Sequence, residues 1–536
     1  MKNGGELAGD ARRRHRVVMV SDFFYPNFGG VENHIYQLSQ CLIDQGHKVV
    51  VVTHAYGDCR GVRYLTNGLK VYYLPRRPFL QQACFPSLLG WARLLRSVCL
   101  REGASLVHGH QAFSTLALEA VLVAAGMGLR VVFTDHSLFG FADPASILLN
   151  KLLKAVLSDA HAVICVSHTS RENTVLRACL QPGGVAVIPN AVDASQFFPA
   201  PLPAPAAGSG ADCGGGGGGG GGGGRSAASD TLPPGLTPWP RDPLSDPVVV
   251  VVLSRLVARK ARAGGVDPPA LGVDLLALVL PALLAAHPNV RLLVGGDGPK
   301  RQLLERVFAD QGLEGRVEMA GAVPHERARD FMVRGHVFVN ASLTEAFCMA
   351  LVEAAAAGLV VVSTAVGGVP EVLPPDMLLL SQPSAEGLLA ALEAALLRLP
   401  SQDPHAQHAR VAAMYNWNDV ARRTAHVYDS AVASARDDSL PARMWRYLAA
   451  GRWVGCLFAL VAALAAALLR AADWAAPAAE VDAAPDWPRG EGSRGGGRPH
   501  GESGAGGKRL GGTREGACEA GLSPARPRLR WENRAQ

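Results

Sequence analysis

The chain has 536 residues, a formal charge of +6 and ten cysteines, a length that allows two large domains plus tails. The tail from Arg489 holds ten Lys/Arg against five Asp/Glu, so the remainder is nearly neutral, which argues against a nucleic-acid groove. No C-x-x-C pair occurs among the cysteines, which suits reduced thiols on the cytosolic side.

The start, residues 1–15, is polar and basic without the apolar run of a signal peptide, and is expected to be disordered. Val17-Val-Met-Val20 then predicts a strand. It leads into Ser21-Asp-Phe-Phe-Tyr-Pro-Asn-Phe-Gly-Gly30 and a helix in which Val31, Ile35, Leu38 and Leu42 recur at helical spacing. Gly46 ends that helix, and His47 to Thr53 is the next strand. The unit reads as strand, glycine loop, helix, strand of an open parallel sheet. Gly29 and Gly30 let the backbone approach a ligand at the helix mouth, or simply make a tight turn. No G-x-G-x-x-G stands here, so a dinucleotide fingerprint is absent.

Residues 199–246 are rich in Pro, Ala and Gly and include eleven consecutive glycines, Gly214 to Gly224, which predict a disordered linker. A second α/β unit opens with the apolar strand Val248 to Leu253, followed by Arg255 and Lys260 just past its C-terminal end. Two cations there can neutralise a diphosphate, although exposed Arg and Lys are mostly solvated surface. Val290 to Pro299 reads as another strand and a Gly-Gly-Asp-Gly-Pro turn before a helix. Val337 to Asn340 leads to Glu345 and Glu353, eight positions apart. Ser342 and Glu345 read as a capping box at the start of a helix that Gly358 stops, with Glu353 about two turns in. Such a helix mouth favours a phosphate, and a carboxylate beside it can accept bonds from sugar hydroxyls. An ordinary capped helix with two solvated acids is the other reading.

Trp453 to Leu469 is uncharged for 17 residues, flanked by Arg443, Arg446, Arg452 and Arg470. It is short for a span, and positive-inside counting puts the preceding domains in the cytosol. A transmembrane helix is expected, with a helix packed on the domains as the alternative. Residues 431–452 are expected as a juxtamembrane helix, and 471–536 as a disordered tail.

Together these segments resemble family 4 retaining glycosyltransferases of the GT-B fold: two Rossmann-like α/β domains facing across a cleft, here 16–198 and 247–430. The shared features are the Gly29-Gly30 loop, Arg255 with Lys260, the Gly-Gly-Asp-Gly-Pro turn and the Glu-x7-Glu pair. Four segments resemble, within that family, the catalytic subunits of GPI-anchor N-acetylglucosaminyltransferases. They are the loop from Ser21 through Gly29-Gly-Val-Glu-Asn-His34, His108-Gly-His-Gln-Ala-Phe-Ser114, Thr134-Asp-His-Ser-Leu-Phe-Gly-Phe-Ala-Asp143 and Ser342-Leu-Thr-Glu-Ala-Phe-Cys-Met349. The resemblance implies donor phosphates at Gly29 and Gly30 and a diphosphate held by Arg255 and Lys260. It implies sugar hydroxyls on Glu345, ribose on Glu353, and phosphate on the backbone of Ala346, Phe347, Cys348 and Met349. It places His136 in the donor-sugar pocket and Asn190 at the domain junction, with a turn role for Asn190 as the alternative. His108 and His110 resemble a second patch whose spacing suits a metal, but no further ligand is evident in the sequence, and no metal or other cofactor is expected.

The implied reaction is transfer of N-acetylglucosamine from UDP-GlcNAc to phosphatidylinositol at the endoplasmic reticulum membrane, with accessory subunits and no nucleic acid. The alternatives are a family 4 enzyme with another donor or lipid acceptor, or an inactive GT-B binding subunit. The second is raised by residues 261–271, which separate Lys260 from Gly272-Val-Asp-Leu-Leu276 where the family runs on without a break.

Overall fold

Short β-branched runs build two mainly parallel sheets. The computed structural model describes residues 13–80, 82–87, 89–141, 144–200, 239–240, 242–256 and 272–486. Lys260, the 261–271 insertion, the glycine linker and the tail beyond 486 lie outside the described residues, as does most of the N-terminal stretch.

The first sheet contains β1 (Arg16–Val20), β2 (Lys48–His54), β3 (Gly61–Tyr64) and β4 (Lys70–Leu74). A small hairpin, β5 (Pro78–Leu80) and β6 (Ala83–Cys84), stands apart from it. The sheet is completed by β7 (Leu106–His110), β8 (Arg130–Asp135), β9 (Ala162–Cys165) and β10 (Val185–Val187). Its order is β10-β9-β8-β7-β1-β2-β4-β3, parallel except for β3. Its helices are α1 (Gly30–Asp44), α2 (Ala92–Glu102), α3 (Thr115–Gly126), α4 (Pro144–Leu157) and α5 (His168–Ala178). Successive strand residues point to opposite faces. Val18 and Val20 therefore join the core under α2 and α3, while Val17 and Met19 join the core that holds Ile35, Leu38 and Leu42 of α1. Both faces are covered, so the strands read as unbroken apolar runs.

The second sheet follows the order β13-β12-β11-β14-β15-β16, all parallel. Its strands are β11 (Val248–Leu253), β12 (Val290–Gly295), β13 (Val317–Gly321), β14 (Val337–Asn340), β15 (Val360–Thr364) and β16 (Leu378–Ser381). Around it lie α6 (Gly272–Ala286), α7 (Arg301–Asp310), α8 (Ala328–Met332), α9 (Met349–Ala356), α10 (Ala385–Arg398) and α11 (Pro404–Met414). This is the doubly wound order, and the two domains form a GT-B fold. Strand order reverses between β1 and β7 in one sheet and between β11 and β14 in the other. Ligands bind outside the carboxyl ends of strands at such switch points.

Three expectations change. The second domain does not run unbroken to 430, because α12 (Trp417–Ala433) returns to the first sheet. There Trp417, Val420, Ala421 and Tyr428 share a core with Met19 and Ile35. The capping box at Ser342 does not form. The chain from Ala341 to Cys348 is a loop, and Ser342 Oγ lies 2.9 Å from both Asn340 Oδ1 and Glu345 Oε1 instead of capping a helix. Cys348, left-handed at φ 62, turns the chain into α9, so Glu353 lies little more than one turn in. Gly358, at φ +89, does follow the end of α9 as expected.

The third change concerns the C-terminal helices. The segment 431–452 contains α13 (Leu440–Leu448), and the apolar segment extends into α14 (Arg452–Ala475), long and apolar enough to cross a membrane. One face of α14, through Phe458, Val461, Ala462 and Leu469, is buried in the core of α2, α3 and α4. The other exposes Trp453, Leu457, Leu460, Leu464 and Trp474. At its far end Arg96 Nε donates to Asp473 Oδ1 at 2.9 Å and Arg96 Nη2 to the Ala476 carbonyl at 2.9 Å. The helix is thus apolar on both sides, with one side seated on the first domain.

Candidate active site

Loops leaving the C-terminal ends of β1, β7, β8, β11 and β14 build the site. From β1 the chain passes through 21–29 into α1, with extended Gly29 as its N-cap. Glu32 in the first turn is buried and accepts from Asn27 Nδ2 at 3.0 Å. A Cβ on Gly29 would lie 2.5 Å from Glu32 Oε2, so glycine there makes room for the carboxylate. Burial pushes the Glu32 carboxyl above its usual range, and Arg255, exposed just past β11, pulls the other way.

Across the cleft, the mouth of α9 meets the mouth of α1. A Cβ built on Gly30 would sit 3.9 Å from Sδ of Met349, the first residue of α9. Two helix N-termini from different domains therefore converge, and each presents the positive end of its dipole. Phe28 of the first loop stacks on His325 of the second domain with centroids 4.1 Å apart, closing one edge. The Gly-Gly-Asp-Gly-Pro turn braces the Arg255 loop: Leu256 N donates to the Asp297 carbonyl at 3.0 Å, and Lys300 N to the Leu256 carbonyl at 3.0 Å. Glu345 occupies the loop four residues before α9, with Ala346 and Phe347 buried behind it.

Glu353 is buried within α9, and desolvation alone pushes its carboxyl up to about 7. Its folded-state pKa lies above its unfolded value, so the protonated form is favoured by folding. The associated stability is full at low pH and is lost as pH rises towards 7. Glu353→Gln is expected to raise the apoprotein's melting temperature more at pH 8 than at pH 4.5, by up to about 3 kcal/mol of stability at the higher pH. Thermal melts at the two pH values check this. Equal shifts would mean that the carboxyl is already solvated.

A histidine cluster backs the first-domain wall. His110 Nδ1 lies 3.4 Å from His136 Nε2, and His34 Nδ1 lies 2.8 Å from Asn190 Oδ1. His108 Nδ1 meets Tyr428 Oη at 2.8 Å, and its Nε2 meets Thr134 Oγ1 at 2.7 Å. Burial lowers all four imidazoles, His34 to about 4 and His108 to about 3, so they are neutral at physiological pH. His108 and His110 are therefore part of the same cluster as His136 rather than a separate patch. The incomplete ligand set gains members from other elements, because one ring nitrogen each from His34, His110 and His136 lies within 4.8 Å of the others. Such a trio can hold a metal ion, and His110 and His136 also bond each other.

The structure brings Gly30 beside Met349, and His136 and Asn190 beside His34, while Arg255 is near enough to Glu32 to act on its charge; Glu345 to Cys348 form the loop into α9, and Glu353 lies buried inside that helix. Sequence reasoning missed Glu32 and His34 as site residues, although both stand in the Gly29-Gly-Val-Glu-Asn-His34 run. The available signal is their position in the first turns of a helix that starts at a ligand-facing loop.

Known proteins are similar to this chain. The family model described as "PIGA (GPI anchor biosynthesis)" matches residues 54–143, and one described as "Glycosyl transferases group 1" matches 261–398. A phosphatidylinositol N-acetylglucosaminyltransferase subunit of Arabidopsis thaliana is 48% identical over 471 residues, covering 88% of this chain and 94% of that protein. Its counterpart of the same designation in Homo sapiens is 44% identical over 488 residues, covering 90% of each. Among solved structures, sucrose-phosphate synthase of Thermosynechococcus elongatus superposes with a TM-score of 0.56 at 20% identity, over 77% of this chain and 98% of that one, which speaks for the fold alone. With long stretches of near-half identity laid over a two-domain GT-B cleft, the chain belongs to the PIGA family of phosphatidylinositol N-acetylglucosaminyltransferase subunits, glycosyltransferases of GPI-anchor biosynthesis.

Proposed function

We propose that the chain transfers N-acetylglucosamine from UDP-GlcNAc to phosphatidylinositol with retention of configuration, the first step of GPI-anchor synthesis. The observation that carries this reading is the meeting of the α1 and α9 N-termini beside Arg255, at the switch points of both sheets. A diphosphate held there loses little by leaving as an anion, because two helix dipoles and a nearby guanidinium offset its charge. Lys260 adds a second cation in this reading. Glu345 holds the sugar hydroxyls, Glu353 the ribose, and the backbone from Ala346 to Met349 the phosphate. Asn190 fixes His34, and neutral His136 lines the sugar pocket.

An inositol hydroxyl attacks the anomeric carbon on the face that the diphosphate leaves. The new C–O bond forms as the sugar–phosphate bond breaks, and the hydroxyl proton passes to a phosphate oxygen of the leaving UDP. No protein base is required by that route. The test is a microsomal assay with radiolabelled UDP-GlcNAc and phosphatidylinositol. Label appearing in an N-acetylglucosaminyl inositol lipid supports the reading. Release of free sugar alone, or transfer only from another donor, removes it.

The same reading puts the protein on the endoplasmic reticulum membrane, with its domains in the cytosol and accessory subunits beside it. The relatives' designation as subunits supports partners, and the apolar outer face of α14 supports membrane attachment. Carbonate washing is expected to leave the chain in the membrane pellet, and protease added to sealed microsomes is expected to digest both domains. Release by carbonate would mean that α14 serves only as a packing helix.

A further inference from the structure

We propose that Glu371 is a positioning residue that couples closure of the two domains to the placement of the Glu345 loop. The residue lies past β15, in the short turn Val369–Glu371 of the second domain, yet its carboxylate bonds the start of α5 in the first. Glu371 Oε2 accepts from His168 N at 2.6 Å, and Oε1 accepts from Thr169 N at 2.8 Å and Thr169 Oγ1 at 2.6 Å. A carboxylate on the first amides of a helix combines charge-assisted hydrogen bonds with the helix dipole. Partners about two hundred residues apart in sequence are joined only when the domains are closed.

The other end of the turn touches the site. Gly368 N donates to the Glu345 carbonyl at 2.9 Å. Gly367 adopts φ +53, and any Cβ there would strike that same carbonyl, so only glycine lets the turn lie this close. At Gly368 a Cβ would strike the Ala346 carbonyl and, at 2.6 Å, Oγ of Ser167, the N-cap of α5. One turn is therefore pinned between the mouth of α5 and the backbone of Glu345 and Ala346. If α5 and Glu371 separate, the turn keeps only the long bond from Thr169 Oγ1 to the Gly367 carbonyl at 3.3 Å to hold it from the opposite domain, and the partner of the Glu345 carbonyl is less firmly fixed.

The inference rests on the donor-site role proposed for Glu345, so the test separates the two. The full-length chain in its membrane complex is compared as wild type, Glu371→Ala and Glu371→Gln. Hydrogen exchange is followed at 168–170 and at 343–349, with and without UDP, beside the kcat and KM of transfer. In Glu371→Ala, exchange at 168–170 is expected to quicken, and UDP is expected to protect 343–349 less. The kcat is expected to fall about 10- to 100-fold with an unchanged melting temperature, because small misplacements of reacting groups carry penalties of that order. Glu371→Gln keeps one acceptor oxygen and is expected to recover part of each effect. Unchanged exchange at 168–170, or quickened exchange with full UDP protection and normal kcat, overturns the proposal. A wild type without transfer activity, whose UDP protection at 343–349 is nevertheless lost in Glu371→Ala, would keep the coupling and remove the assigned reaction.

Discussion

Glu345→Gln is expected to abolish most transfer while leaving the fold intact. Glu345 stands in the loop between β14 and α9, with its carboxylate held 2.9 Å from Ser342 Oγ and its carbonyl held by Gly368 N. The backbone bond does not depend on the side chain, so the amide variant keeps the loop. What changes, on the reading proposed above, is the charge of the acceptor that meets the sugar. Loss of one preorganised contact that strengthens in the transition state costs about 10²–10³ in rate. The assay is turnover of labelled UDP-GlcNAc in microsomes, with expression and melting temperature as controls. Near-normal turnover would remove Glu345 from the sugar site and leave its carboxylate a role in shaping the loop.

The largest expected loss of stability lies far from the cleft, at Asp159. This residue is fully buried and meets Arg443 of α13, itself 2% exposed, with Nη2–Oδ2 at 2.6 Å and Nε at 3.2 Å from both carboxylate oxygens. Tyr447 Oη also donates to Asp159, and Arg443 Nη2 reaches the Leu122 carbonyl at 3.0 Å. The pair clamps α13, and through it the start of α14, onto the first domain. Asp159→Ala strands a guanidinium in a dry site, a change that costs about 3–5 kcal/mol. Thermal melts of the detergent-solubilised chain are expected to show a large drop. The double variant Asp159→Leu with Arg443→Met is expected to recover most of it, since removing both charges also removes their desolvation penalty. A single-variant loss below about 1 kcal/mol would show that Arg443 finds water by local opening.

Position along the chain explains why some of the candidate site was legible and some was not. Gly29, Gly30, Arg255 and Glu345 follow strand ends that announce themselves by β-branched runs, and strand ends at switch points are where α/β sheets place ligands; Glu353 is read from its spacing to Glu345. Periodicity likewise located α1, because Ile35, Leu38 and Leu42 face one core. Local pattern failed where a side chain had a competitor. Ser342 has the spacing of a capping residue, but Asn340 and Glu345 engage its hydroxyl and Cys348 turns the chain before α9 begins.

The alternation of strands and helices in two successive α/β units was readable from the chain, because it follows from short-range periodicity and loop chemistry. Other features came only with the packed molecule. Packing gathered His34, His110 and His136 from three elements, returned α12 to the first sheet so that Tyr428 meets His108, and seated one face of α14 on α2 and α3. It also laid Glu371 on α5. A contact between residues far apart in sequence depends on where the intervening chain is packed, and no local propensity encodes that distance.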